Sequence, residues 1–477
     1  MLPDVEDLSR LVIDRGLELD ADYVEFRFHA TYKESIKTKD GLLSSHNINY
    51  LYGVGIRVII NGAFGFSSTN ILTESNLVRA VEEAISIARA SSHLVEHKVH
   101  LGEEEVSSVE YFVAERKRWL DTPMEEKISF LKDLDSEISS LSKDVSSYRL
   151  FGLVYRKDEK YISSSIGTEV KSTIPITYLS YLLTVKKDSN VIQKKRSIGG
   201  AGGFEAINTH EIYQRTVENT KEIIDVVSNW RRSPKGTMDV IVGGEVSGII
   251  AHECIGHSFE ADRILGREGG QAGESYAKKL SVGEKIGTDE VYISDDPTLP
   301  SSGGYYLYDD EGVKARKKEL IREGYVNEFL HNRETAYLFN TTSNGSARAA
   351  CYDREPIVRM SNTFFEPGDY SFEELLEDIE YGVYIKGYME WNIDDKRMNQ
   401  RYTGLESYLI ENGEIKFPIK YPVLEISTKT LLNSLDARGR VMEFYMGLCG
   451  KGEPYQLIPV WRGGPAIRLR GVVVGER

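Results

Sequence analysis

Two histidines, a glutamate and a cysteine are crowded into six residues of this chain, His252-Glu253-Cys254-Ile255-Gly256-His257. Imidazoles bind borderline-soft divalent cations such as zinc, and a carboxylate beside the first of them is placed to accept a proton from an attacking water. His252 and His257 are therefore candidate metal ligands, with Glu253 the candidate general base. The familiar hydrolytic spacing puts the histidines four residues apart on one helix face. Here they are five apart, and on a regular α-helix their side chains would diverge by about 140°. Convergence on one ion requires a π-bulge or a break in the helix, and Gly256 is a permissive place for either.

Hydrolytic zinc sites usually take three protein ligands and keep one position open. Three residues compete for the third place. Cys449 sits in Met446-Gly447-Leu448-Cys449-Gly450-Lys451-Gly452, read as a small-residue turn after a strand, where Lys451 would lower the thiol pKa. Cys254 lies between the two histidines, an awkward place from which to converge with both. Glu260 follows His257 by three residues and suits the role of orienting an imidazole better than that of ligand. Asp262 has a weaker claim of the same kind.

The elements that must hold these residues can be read from period and punctuation. Met238–Val242 reads as a strand, followed by a helix over Glu245–His257. Upstream, Asp4–Gly16, Ser75–Ala90, Glu125–Leu141 and His210–Val227 have helical character, the third as an exposed helix over a sheet. Tyr23–Phe28 alternates as a strand, and Gly53–Ser68 is a hairpin folded at Asn61-Gly62. The glycine run 199–203 lacks the order of a dinucleotide fingerprint and reads as a mobile loop. Ser233-Pro234-Lys235-Gly236 punctuates the chain. Downstream of it come short strands and turns, helices over Ser371–Ile379 and Ser427–Leu435, a hairpin at Asn412-Gly413, and closing strands over Arg438–Leu448, Gln456–Arg462 and Ala466–Val474. The expected class is α+β with two domains: an α/β N-terminal domain over residues 1–232 and a β-rich C-terminal domain over 233–477 that carries the metal site.

A length of 477 residues suits two domains. The formal charge of −15 argues against nucleic acid or an anionic membrane as partner. Three cysteines, Cys254, Cys351 and Cys449, do not form a disulfide framework and suit a reducing compartment. Cys351 reads as a buried small hydrophobe. No leader-like N-terminal segment and no run long enough to span a bilayer is visible, so a soluble cytoplasmic protein is expected.

The chain resembles the TldD branch of the TldD/PmbA family, proposed zinc metallopeptidases also described as modulators of DNA gyrase. The likeness runs over nearly the whole length. It includes Tyr52–Arg57, the His252–His257 box continuing to Asp262, Asp309-Asp310-Glu311-Gly312, Thr342-Ser343-Asn344-Gly345, Arg359–Thr363 and Cys449-Gly450-Lys451. The resemblance implies a Zn2+ site of His252, His257 and Cys449 with Glu253 as base. It also implies a subunit that dimerises, as a homodimer or with a PmbA-type partner, and acts on unfolded or flexible polypeptides. The chain departs from the family's usual form at Glu453–Gln456 and at Trp461-Arg462, which bears on substrate preference. The competing class is a non-enzymatic protein-binding regulator, whose structural metal would need Cys254 to close its fourth position. His331 and Tyr337 are candidates for stabilising the tetrahedral intermediate, and Asn344, Gly345 and the Arg359–Thr363 segment for lining the cleft through backbone hydrogen bonds to an extended peptide.

Overall fold

In the computed structural model, residues 5–95, 97–102, 104–142, 145–207, 209–270 and 273–477 are described. The proposed start of the first helix at Asp4 lies outside them; the helix itself runs Val5–Glu18. Strands drawn from residues 23–201 build one seven-stranded sheet in the order 63–69, 42–60, 23–39, 145–164, 169–187, with both 108–112 and 190–201 pairing the last of these. Its pairings are antiparallel except that of Ser108–Phe112. Asn61 and Gly62 take positive φ values of 52° and 80° in the predicted hairpin turn, the geometry of a two-residue turn matched to strand twist.

Helix Glu74–Ser91 packs Leu77, Val81 and Ala84 against Phe26, Val54 and Ile56 of this sheet. Helix Met124–Leu141, expected to be exposed, buries Leu131, Leu134 and Ile138 completely against Phe151 and Leu179. Its apolar stripe is narrow, but the 3.6-residue period still gives it one face for the sheet. The glycine run is also more ordered than expected. Residues 199–201 end the strand Asn190–Ala201, which pairs Glu169–Lys187 out to Ile176↔Ala201. A Cβ on Gly200 would stand 2.0 Å from the Ser301 carbonyl oxygen, so glycine here permits close approach of two backbones.

Two further large sheets form from residue 231 onward. A ten-stranded sheet places Gly236–Val242 between Ile467–Glu476 and Tyr381–Ile385. A six-stranded sheet ends in the order 362–365, 456–464, 443–451, so Glu443–Lys451 is an edge strand. Between these sheets lies the helix Gly244–Ile250, whose Val246, Ile249 and Ile250 share one core with Val240, Ile385, Val460 and Leu469. The helix approaches the Gln456–Gly464 strand closely, because a Cβ on Gly248 would meet the Gly463 nitrogen at 2.3 Å. Buried ion pairs join the first sheet to the rest: Arg57 with Glu311 (2.8 Å), Lys160 with Asp310 (2.7 Å), and Arg196 with Glu245 (2.5 Å) and Glu406 (2.9 Å).

Candidate metal centre

The helix does not stay α-helical through the box. It passes at Ala251 into a π-helical turn that runs to Gly256, and then into a 3-10 turn over His257–Phe259. This is the distortion the i+5 spacing demands: a wider turn brings the two imidazoles onto one side, with ring centroids 5.0 Å apart. Gly256 contributes in another way than expected. Its φ of −51° is ordinary for any residue, but a Cβ there would stand 1.8 Å from Met360 Sδ. Space, not backbone freedom, is what glycine supplies.

Cys449 lies within the edge strand Glu443–Lys451, not in a turn after it. Strand alternation aims its thiol at the box, where Sγ is 3.3 Å from His257 Nε2. One donor atom from each of His252, His257 and Cys449 lies within 4.8 Å of the others, and all three residues are buried. A tetrahedral zinc with bonds of 2.0–2.3 Å separates its ligand atoms by about 3.5 Å, so this donor set fits the ion. His252 Nδ1 is buried without a hydrogen-bond partner. Burial, followed by the charges of Arg462 and Arg397 acting against Glu253 and Glu260, brings the His252 pKa down to about 4, which keeps the imidazole neutral and able to donate. Burial pushes the Cys449 thiol up, but His257 and Arg359 outweigh it and pull the pKa down to about 7. Lys451 is not the cause expected for that shift: its ammonium is taken up by Asp262 (2.6 Å) and the Val358 carbonyl oxygen (2.7 Å).

Glu260 stands behind His257, its Oε2 accepting from Nδ1 at 3.0 Å. That bond leaves Nε2 as the free lone pair, the usual way a carboxylate orients a ligating imidazole. Burial raises the Glu260 carboxyl, yet Lys451, His257 and Arg263 outweigh it and hold it well below the usual range. Glu253 is buried and its Oε2 accepts from Arg397 Nη1 at 2.5 Å. Burial raises this carboxyl as well, and His257, His252 and Arg397 together bring it below its ordinary value, so it is ionised and ready to accept a proton.

The remaining candidates separate cleanly. Cys254 turns the other way, its Sγ 2.6 Å from Gln400 Oε1, and burial raises its pKa; it is not in the cluster that a fourth-ligand role would require. Cys351 is only half-buried and donates to Asp353 Oδ1 at 2.7 Å. His331 is buried beside Phe339, and Tyr337 is exposed against His100. Asn344 spends its amide on His331 N, Phe329 O and Glu328. In the Arg359–Thr363 segment, Ser361 and Thr363 bond Asp295 within the core. Arg359 donates from Nη2 to the Cys449 carbonyl oxygen at 2.6 Å, bracing the strand that carries the thiol. Ser361 and Thr363 are thus committed to the core, and Arg359 to the strand that carries the thiol. Arg397 was not visible from sequence: it lies 144 residues from Glu253, and no local pattern links the two.

Two histidines and a thiol around one point, with an ionised carboxylate alongside, form a donor set of the hydrolytic metal-site class. Comparison with known proteins identifies the family. The PmbA/TldA metallopeptidase C-terminal domain matches residues 235–476, domain 1 of the same family matches 24–88, and its central domain matches 117–223. A metalloprotease of Methanothermobacter thermautotrophicus is 32% identical over 478 residues, covering 99% of each chain. A zinc metalloprotease TldD homolog of Saccharolobus solfataricus is 28% identical over 97% of this chain and 98% of its own. The crystal structure of TldE from Thermococcus kodakarensis shares the fold with a TM-score of 0.76 at 19% identity, over 98% of this chain and 100% of that one. The chain belongs to the PmbA/TldD metallopeptidase family, and it is a peptidase. Among the described residues no helix is long and apolar enough to cross a membrane.

Proposed function

We propose that the chain hydrolyses peptide bonds of unfolded or flexible polypeptides at a zinc centre held by His252, His257 and Cys449. The observation that carries this reading is the convergence of the three donor atoms within 4.8 Å, beside the ionised Glu253. A zinc ion bound there supplies Lewis acidity to the scissile carbonyl and to the attacking water. Glu253 accepts the proton of that water and passes it to the leaving amine, a role its ionised carboxylate and its place next to His252 support. Arg397 holds Oε2 of Glu253, fixing the carboxylate's orientation. Glu260 fixes the ring of His257, and Arg359 fixes the backbone of Cys449.

An extended substrate is supported by the edge strand Glu443–Lys451, which pairs on one side only and leaves its sheet open to a further strand beside the Cys449 carbonyl that Arg359 holds. Association into a dimer, with a second copy or a PmbA-type subunit, is supported by Leu42, Ile48 and Tyr50, exposed at 74%, 54% and 51% on one hairpin arm. Residues 1–232 and 233–477 are proposed as its two domains, and a reducing cytoplasm suits its three free cysteines.

The test is cleavage of a flexible peptide by the zinc-loaded chain beside its Glu253→Gln variant. Turnover by the first and a loss of roughly 10²–10⁴ in the second, with zinc retained, is the expected result. Undiminished turnover in Glu253→Gln removes that residue from the mechanism.

A further inference from the structure

Next to the candidate centre, between the two edge strands Asn190–Ala201 and Glu443–Lys451, lies a cavity of about 590 Å³. Its rim includes Gly447 and Leu448, on the strand that carries Cys449. Its charge is unlike that of the rest of the chain. The molecule carries 74 acidic residues against 59 basic ones, yet the cavity is lined by Lys194, Lys195, Arg196 and Arg462 and, among the described residues, by no carboxylate. Lys194 and Arg196 are spoken for by Glu245 and Glu406 behind the wall. Lys195 and Arg462 have no ion-pair partner among the described residues.

Arg462 is aimed by its strand. In the antiparallel register Tyr445 pairs Arg462, Gly447 pairs Val460 and Cys449 pairs Ile458. Directly paired residues share a face, and alternate residues repeat it, so Arg462 projects from the same face as Cys449. Gly447, between Tyr445 and Cys449 on that face, has no side chain, and Arg462 lies across the gap: a Cβ on Gly447 would stand 2.8 Å from Arg462 Nε. That Nε is buried and makes no hydrogen bond. The guanidinium is close enough to His252 for its charge to act on that imidazole. A partly buried arginine with an unspent fork, facing a cavity without acids, is matched to a carboxylate.

We propose that this cavity is a carboxylate subsite of the active centre, with Arg462 its specificity-determining residue and Lys195 a second charge at its mouth. The carboxylate is either an acidic side chain near the scissile bond or the free C terminus of a short peptide. The inference rests on the peptidase reading above for the identity of its ligand as a peptide. It is tested by binding as well as by turnover. Zinc-loaded Glu253→Gln protein is titrated with flexible peptides that differ only by Glu against Gln at successive positions, each with a free or an amidated C terminus. The expected result is about tenfold tighter binding of one carboxylate-bearing form, the size of a charged hydrogen bond. Discrimination by position assigns an acidic side chain, and discrimination by amidation assigns the terminus. Arg462→Gln abolishes the difference, and Arg462→Lys retains part of it. Equal affinity for charged and neutral peptides overturns the proposal. Turnover of the same peptides by the unsubstituted protein separates the two readings. Cleavage with KM indifferent to charge sinks the subsite and leaves the peptidase. Carboxylate-selective binding without cleavage of any peptide sinks the peptidase and leaves the subsite.

Discussion

The His252–Glu260 segment and the Asp309–Glu311 segment are both buried and both rich in charge, but their polar atoms are used differently. In the second, Asp309 accepts from the backbone nitrogens of Glu311, Val313 and Ala347. Asp310 accepts from Lys160 and from Ala349 N, and Glu311 from Arg57 and Arg333 N. Every carboxylate oxygen in that run has a partner, and the run ties the first sheet to the rest of the molecule. In the first segment, His252 Nδ1 and Glu260 Oε1 are buried with none. A family-matching cluster with all its valences filled is a joint, and one with valences to spare is a site.

The comparison can be broken at either end. The largest effect is expected from Cys449→Ala, which removes the thiolate: zinc measured after dialysis falls to background and peptide cleavage goes with it. Retention of stoichiometric zinc would remove Cys449 from the ligand set. In the joint, Arg57→Met leaves Glu25 and Glu311 buried without their guanidinium and should cost about 3–5 kcal/mol in urea unfolding, while zinc content is unchanged. A stability loss below about 1 kcal/mol would show that the joint does not depend on this pair. Glu260→Gln is milder, weakening zinc about 10–100-fold through the loss of one oriented imidazole, as competition with a chelator would read.

A last test, outside the comparison, is the acid response of two histidines away from the site. Burial first, and for His29 the charge of Lys160, depresses His29 and His331 from 6.5 to about 4. Between those values the unfolded chain binds the proton and the folded one does not. Stability is therefore full above pH 6.5 and is lost as pH falls toward 4, by about 1.4 kcal/mol per unit for each histidine. Unfolding free energies at pH 7 and pH 5 that coincide would contradict this.

The site was legible where local spacing carries the physics. The i+5 separation of His252 and His257 called for a wide turn, and the π-helical turn supplies it. Glu260 three residues on was placed correctly behind an imidazole. Long-range pairing was not legible: Arg397 on Glu253 and Arg359 on the Cys449 carbonyl depend on sheet order that no window of sequence contains. The same blindness made residues 199–203 look like a loop. Glycine is a poor strand former alone, but here the neighbouring strand, the Ser301 carbonyl and a hydrogen bond from Trp461 Nε1 to Gly199 O hold part of the run extended. The Arg359–Thr363 segment was misjudged for the opposite reason, since polar residues there are committed to Asp295 and Asp296 inside the core.

The wide turn at residues 251–256 also sets a phase. One extra residue kept in α-helical turns would advance everything after it by about 100° and carry His257 and Glu260 away from the edge strand that presents Cys449. The wider turn absorbs that advance. Excising Ile255 while the turn reverts to α-helical would therefore leave His257 close to its present phase, so the four-residue and five-residue intervals are two ways of presenting one face, told apart by the turn that carries them.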